Sequence, residues 1–358
     1  MRGMLRRLLL SVVASFIAVT VAHAADAKLF EGEVGGLPIV LKVEVDGQSA
    51  FGAYFYRRTL FDIILNGEVR GGAVQLEAPF TEDKLKLVPK GDGYTGQLTT
   101  ARGKTLPVSL RPVRPAVRSE FGDLDGYERL RLAALTLRAG RTETIGQGSI
   151  RWFVEPSSGV SLFRLVSGYG ASATATINRA LAQAHWKRVA DYFGCPAFGG
   201  GPGSEISKPE DVYLSNRFIS FGWPASWSCA GAAHPDFGLE GHSFDAVSGR
   251  ELALDEVLHF GSAAPPKPDT YAWYEYRSGT FAPGVVALMK RLHPKEVLNP
   301  SGGADEEDCD YSDPGVWDFP AWHVTEKGLY LGATFARVVR VCDNPDWSYI
   351  PLSALPRR

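Results

Sequence analysis

The sequence predicts an α+β protein, with a small antiparallel β-barrel or sandwich followed by a larger α+β region. Up to residue 115, short segments of alternating apolar residues are separated by glycine turns, which is typical of antiparallel strands. Beyond it, helix and strand patterns interleave without a regular βαβ period, which favours α+β over a doubly wound sheet. Residues 25–115 lack Trp, Cys and His, whereas all eight Trp and all four Cys follow. We therefore predict a first domain at 25–115, a connector at 116–144 and a second domain at 145–358.

The first 24 residues have the pattern of a secretory signal peptide. Three arginines within the first seven residues precede an apolar stretch at 8–22, and Ala22-His23-Ala24 has the small-x-small form of a cleavage site. The apolar stretch, at about 15 residues, is shorter than the roughly 20 that cross a bilayer. We predict cleavage after Ala24, a periplasmic or secreted protein, and no membrane anchor after processing.

The charge balance narrows the class of partner. The whole chain has a net charge of −2, and removing the first 24 residues with their three arginines makes it −5. A surface for nucleic acid or an anionic membrane favours the opposite sign. We therefore expect no nucleic-acid partner, and the acidic balance suits a basic protein.

The first domain is predicted to contain seven or eight short strands. Residues 38–46 alternate apolar and polar side chains, Asp46-Gly47 is a strong hairpin signal, and residues 49–57 return with the same alternation. Further strands are predicted at 60–65, 73–78, 85–88, 94–98 and 106–110, and Asn66-Gly67 is predicted as one of the turns between them. We expect a barrel of this size to be filled by its own side chains.

The second domain is predicted to mix helices and strands. Helical spacing of apolar residues covers 176–193 and 283–292, with a shorter helix at 254–258. Strands are predicted at 149–154, 160–166, 212–223, 226–229 and 239–245. A closing pair of strands is predicted around His323 and at 329–341, with the turn at 326–328.

The four cysteines predict two disulfides. Thiols pair in an oxidising compartment, and no C-x2-C spacing points to zinc. Four cysteines allow three connectivities. Because Cys195 and Cys229 lie in one stretch and Cys309 and Cys342 in another, we predict these two local bridges.

The densest group of proton-transferring or metal-binding side chains is His234, Asp236 and His242. One hypothesis is a metal-dependent periplasmic hydrolase centred on these three residues. The segment lacks the i, i+4 pairing of H-E-x-x-H, however, and the favoured interpretation is that His234 braces a tight loop through hydrogen bonds to the backbone.

No motif identifies a catalytic residue or a cofactor. Gly168, Gly170 and Ala173 fit G-x-G-x-x-A, but these glycines equally suit a strand-to-helix turn in an exported protein. G-x-S-x-G and S-x-x-K are absent in a convincing setting. We expect no catalytic residues, no cofactor and no metal.

Two tryptophans complete the candidate binding residues. Trp223 and Trp227 belong to an aromatic-rich second domain, where such side chains either stack on sugars and protein partners or fill the core. The candidate binding residues are Trp223, Trp227, Gly231, His234, Asp236 and His242.

The second domain resembles the RsiV-type domain. The resemblance is carried by FISFGWPASWSCAGAAHP at 218–235, HSFDAVSGRELAL at 242–254, FPAWHVTEKGL at 319–329 and IPLSAL at 350–355. In that family the domain is the outer part of a membrane anti-sigma factor that recognises lysozyme, and it also accompanies a peptidoglycan deacetylase as a non-catalytic module. The resemblance implies a compact α+β binding domain that faces the cell envelope.

The leading hypothesis is an exported binding protein that recognises a lysozyme-like protein or a peptidoglycan fragment without catalysis. The metal-dependent hydrolase is the first alternative. A structural assembly factor that uses the β domain for docking is the second.

Overall fold

A computed structural model describes residues 27–298 and 309–355, so the predicted signal peptide lies outside the described residues. Within those two ranges no helix is long and apolar enough to cross a membrane. The chain forms an eight-stranded barrel, three smaller antiparallel sheets and several helices, which confirms α+β with a barrel.

The barrel closes through antiparallel pairing of each strand with the next and of the last strand with the first. The hairpin predicted at Asp46-Gly47 joins the second and third strands, and its two loop residues are Gly47 and Gln48. The strands are β1 (Lys28–Val34), β2 (Leu37–Asp46), β3 (Ser49–Tyr56), β4 (Ile63–Arg70), β5 (Ala73–Glu77), β6 (Lys84–Lys90), β7 (Gly93–Thr99) and β8 (Thr105–Pro112).

The barrel interior is filled by its own side chains. The buried apolar set contains members of every strand, among them Phe30, Leu41, Tyr54, Leu76 and Leu87. The prediction of a turn at Asn66-Gly67 is wrong, because both residues lie inside β4. A Cβ on Gly67 would lie only 1.9 Å from the carbonyl oxygen of Gln75 on β5. The glycine thus permits close approach of two strands rather than a reversal.

The second region contains three sheets. The first is antiparallel, with β10 (Gly148–Val154) between β9 (Arg138–Ile145) and β11 (Ser161–Ser167). The second is built on the long β14 (Phe218–Trp227), which pairs with β12 (Ser204–Ile206), β13 (Glu210–Leu214) and β15 (Asp236–Asp245). The third consists of β16 (Ala321–Thr325), β17 (Gly328–Gly332) and β18 (Tyr349–Ile350).

The helices include one long element, α2 (Ala171–Gly194), which begins five residues before the predicted start. Its N-terminal flanking residue is Gly170, which offers no side chain to mark the boundary. The other helices are α1 (Gly126–Leu132), α3 (Leu254–Val257), α4 (Tyr271–Tyr276), α5 (Ala282–Leu292) and α6 (Pro294–Leu298).

The predicted connector contains regular structure. Residues 116–144 include a short 3-10 helix, all of α1 and most of β9. Moreover, the apolar core crosses the predicted boundary, because Val40 and Phe55 of the barrel belong to the same buried cluster as Ile177 and Val189 of α2. The barrel wall therefore has two apolar sides where it meets α1, which in turn packs against α2.

The structure tests the two predicted disulfides and the predicted closing strand. Both disulfides, Cys195–Cys229 and Cys309–Cys342, are present as predicted. The second strand of the closing pair is shorter than predicted, because it ends at Gly332 and residues 337–342 are 3-10 helical. The Cys309–Cys342 bond holds this last segment against the residues that precede β16.

An ionic cluster fastens α1 to the barrel. Arg131, which is fully buried, donates to Asp62 Oδ1 at 2.7 Å, to Glu128 Oε2 at 3.0 Å and to the carbonyl oxygen of Leu60 at 2.5 Å. Its guanidinium also lies 4.8 Å from the ring centre of Phe55. The cluster joins the β3–β4 connection to the helix.

We predict that Arg131→Met lowers the free energy of unfolding by about 3–5 kcal/mol, because it leaves two carboxylates without their buried cation. Urea unfolding at neutral pH measures the change. The control is Arg70→Met, which removes an exposed ion pair with Glu68 and should cost less than about 1 kcal/mol. Equal losses in the two variants would contradict the structural role assigned to Arg131.

Candidate functional site

A groove follows the exposed side of α2, between residues 121–128 on one side and the β14–β15 hairpin on the other. It consists of two adjoining cavities of about 480 and 350 Å³. Leu124 and Lys187 line both of them. We call this the α2 groove, and its halves the disulfide end and the histidine end.

The disulfide end combines apolar and ionic surface. Trp227, the last residue of β14, lines it together with the Cys195–Cys229 bond. Glu128 and Arg188 face the same cavity from α1 and α2. The cavity thus offers an aromatic ring, an acid and a cation to one ligand.

Glu128 is an unusual acid in this cavity. Asp125 caps the N-terminus of α1 by accepting a hydrogen bond from the Glu128 amide at 2.8 Å, which fixes the start of the helix. Burial raises the pKa of Glu128 to about 7, against the lowering effect of the Arg131 charge. Near neutral pH the side chain is therefore able to act as a donor as well as an acceptor.

The histidine end is organised by His242 on β15. Its Nδ1 lies 2.8 Å from Glu251 Oε1, and its Nε2 lies 3.4 Å from Glu240 Oε1. Its ring stacks on Phe221 with centres 4.9 Å apart. Burial alone lowers the pKa of His242, but hydrogen bonds to the two carboxylates and their charges outweigh this effect and raise it to about 9. The imidazolium is therefore charged at neutral pH.

Arg188 connects the two ends. Its guanidinium donates to Glu240 at 2.5 Å and lies 4.9 Å from the ring centre of Trp223. The hydrogen bond from His242, reinforced by the charges of His242 and Arg188, lowers the pKa of Glu240 to about 2. One residue earlier on α2, Lys187 donates to Asp191 at 2.8 Å. Cations and carboxylates thus alternate along the groove.

Two of the predicted binding residues have structural positions instead. Trp223 is a core residue with 1% exposure, and its indole donates to the carbonyl oxygen of Ser207 at 2.9 Å. Trp223 therefore fills the core and does not line the α2 groove. Gly231 lies in the tip of the β14–β15 hairpin with φ +89°, where a Cβ would come within 3.1 Å of the Phe80 ring.

The structure does not bring His234, Asp236 and His242 together. His234 is exposed on the hairpin loop, and within the described residues no hydrogen bond braces it, contrary to the favoured interpretation. Asp236 pairs with Arg340 and, at 3.6 Å, with Arg337. It precedes His242 by six positions on β15, or about 20 Å of extended chain.

His234, Asp236 and His242 therefore do not form one cluster of side chains. Between residues 27 and 298 and between 309 and 355, no group of three or more His, Cys, Asp or Glu is placed to hold a metal ion. Of the predicted binding residues, Trp227 and His242 line the α2 groove.

Sequence reasoning did not assign a binding role to the charged residues of the groove, among them Glu128, Lys187, Arg188, Glu240 and Glu251. One signal was available, because alternate residues of a strand share a face and Glu240 is two positions from His242. The others come from separate segments of the chain. Comparisons add no relative, because no family model, curated protein or solved structure matches the chain significantly.

The raised pKa of His242 predicts a pH-dependent stability. A folded-state pKa of about 9, above the ordinary 6.5, contributes stability that is complete below about pH 6.5 and is lost as the pH rises through 9. We expect the free energy of unfolding to fall by about 2–3 kcal/mol between pH 6 and pH 10 through this group. Urea unfolding of wild type and His242→Gln over this range measures the difference, and parallel curves would contradict the prediction.

Proposed function

We propose that the protein is an extracytoplasmic binding protein that takes a cell-wall glycan fragment in the α2 groove and does not itself catalyse a reaction. One observation carries the proposal. A half-buried tryptophan, Trp227, lines the same groove as cations and carboxylates that alternate along it and are held by ion pairs.

The chemistry of the groove suits a polyhydroxylated ligand. A sugar ring has an apolar face that packs on an aromatic side chain, and its hydroxyls both donate and accept hydrogen bonds. Glu240 and Glu251 accept from such hydroxyls, while Lys187 and Arg188 donate to hydroxyl, carbonyl or carboxylate oxygens. Because internal ion pairs already hold these groups in place, a ligand loses little free energy in ordering them.

The disulfides and the family resemblance support a location at the cell envelope. Two disulfides fit a protein that matures in an oxidising compartment. The resemblance of residues 145–358 to the RsiV-type domain points the same way, since that domain also accompanies a peptidoglycan deacetylase.

A lysozyme-like protein is the second candidate ligand. The predicted mature chain has a net charge of −5, and the histidine end presents Asp123, Glu240 and Glu251 at its lining. A basic protein could place a lysine or arginine side chain against these carboxylates.

We predict that soluble muropeptides bind the wild-type protein and that Trp227→Ala weakens their Kd at least tenfold, through loss of the stacking surface. Isothermal titration calorimetry measures both values. The matched control is Tyr271→Ala, which removes an exposed aromatic side chain on α4, outside the groove, and should leave Kd unchanged.

A titration with lysozyme separates the two candidate ligands. Heat from lysozyme but not from muropeptides would replace the glycan with the protein partner. No heat from either would remove both candidates, and the structural assembly factor would then be the hypothesis to pursue.

A further inference from the structure

A separate cavity, outside the α2 groove, lies where the barrel meets the second region. It has a volume of about 430 Å³, within the range of roughly 300–1,000 Å³ that is usual for small-molecule sites. Its barrel side is formed by Phe61, Ile63 and Ile64 near the start of β4 and by Phe80 from the β5–β6 connection. We call it the apolar chamber.

The opposite wall is a glycine-rich loop. Pro196, Ala197 and three consecutive glycines at 199–201 line the chamber. The three glycines have φ values of +86°, +92° and +83°, a conformation that other residues adopt only with strain. Phe198 of this loop packs edge-on against Phe80 with ring centres 5.3 Å apart. One aromatic contact thus brings the loop against the barrel.

The charged side chain at the chamber wall already has partners elsewhere. Asp62 lines the chamber, but its Oδ1 accepts from the Tyr127 hydroxyl at 2.8 Å and from Arg131 at 2.7 Å. The neighbouring surface is built from aromatic, branched aliphatic and small residues. A ligand in this space is therefore held by burial of apolar surface.

The chamber adjoins the disulfide end of the α2 groove. Cys195 and Cys229 line the groove, and the residues that directly follow them, Pro196 and Ala230, line the chamber. A Cβ on Gly194, in the groove, would lie 4.0 Å from Asp62 Oδ2, at the chamber. The two cavities thus lie next to each other along the residues of the Cys195–Cys229 disulfide and those that follow them.

We propose that the apolar chamber holds the aliphatic chain of an amphiphile whose saccharide head occupies the α2 groove. The assignment of the head rests on the proposed function, whereas the assignment of the chain rests on the lining of the chamber. The ligand class is accordingly a saccharide that carries an alkyl, acyl or isoprenoid chain.

Calorimetric titration of the full chain with octyl, decyl and dodecyl β-D-maltosides, below their critical micelle concentrations, tests the proposal. We expect Kd to tighten about fourfold for each added CH2, because burial of one methylene contributes about 0.8 kcal/mol. Ala197→Trp, which fills the chamber from its loop side, should abolish this gain while muropeptide binding remains.

Two further variants locate the parts of the ligand. Val88→Trp places the same ring on an exposed barrel position outside the chamber lining and should keep the full gain per CH2. Trp227→Ala should weaken all three maltosides by one common factor and keep the gain per CH2, since it acts on the head alone.

The outcomes are distinct. A Kd independent of chain length, or a gain that persists in Ala197→Trp, would overturn the chamber as the site of the chain. Maltoside affinities unchanged by Trp227→Ala would overturn the placement of the head. A third outcome is that muropeptides do not bind while Ala197→Trp still abolishes the affinity gain with chain length. That result would reject the proposed glycan function and leave the chamber as the site of the chain.

Discussion

Burial of the apolar side of α2 is the constraint on which the rest of this structure depends. Ile177, Leu181, Val189 and Phe193 recur at helical spacing and share one core with the outer wall of the barrel and with β14. Once that side is buried, Lys187 and Asp191 are left on the opposite side, facing the groove, and the mostly buried Arg188 lies at its edge. The same packing that joins the barrel to the second region therefore also exposes the charged wall of the candidate site.

The charges of the groove hold one another in place. The contacts of His242 with Glu240 and Glu251, together with the hydrogen bond from Arg188 to Glu240, hold His242 as a cation and Glu240 as a carboxylate at neutral pH. Such a network discriminates among ligands by geometry, because a ligand that displaces one group without replacing its hydrogen bond leaves a buried charge uncompensated. Glu128, with its pKa near 7, is the member whose charge responds to ordinary changes of pH.

The sequence predicts what depends on local signals and misses what depends on distant ones. The hairpin at Asp46-Gly47, a small antiparallel barrel or sandwich of seven or eight strands, and both disulfides follow from turn chemistry, alternation and the redox compartment. Asn66-Gly67 has the same local form as a turn but lies within β4. Its glycine is required because β5 approaches too closely for a Cβ atom, and the chain does not reverse there. The groove was not predictable as a whole, since Arg188 and Glu240 are 52 residues apart and meet only after α2 packs.

The Cys195–Cys229 bond makes the shape of the groove depend on oxidation of its thiols. It ties the residue after α2 to the end of β14, and both cavities use its flanking residues as a wall. A newly synthesised chain with reduced thiols lacks this covalent tie, so the wall is fixed only after oxidation. For the binding function proposed above, ligand recognition is thereby coupled to maturation, because a molecule still in a reducing compartment does not yet present the finished surface.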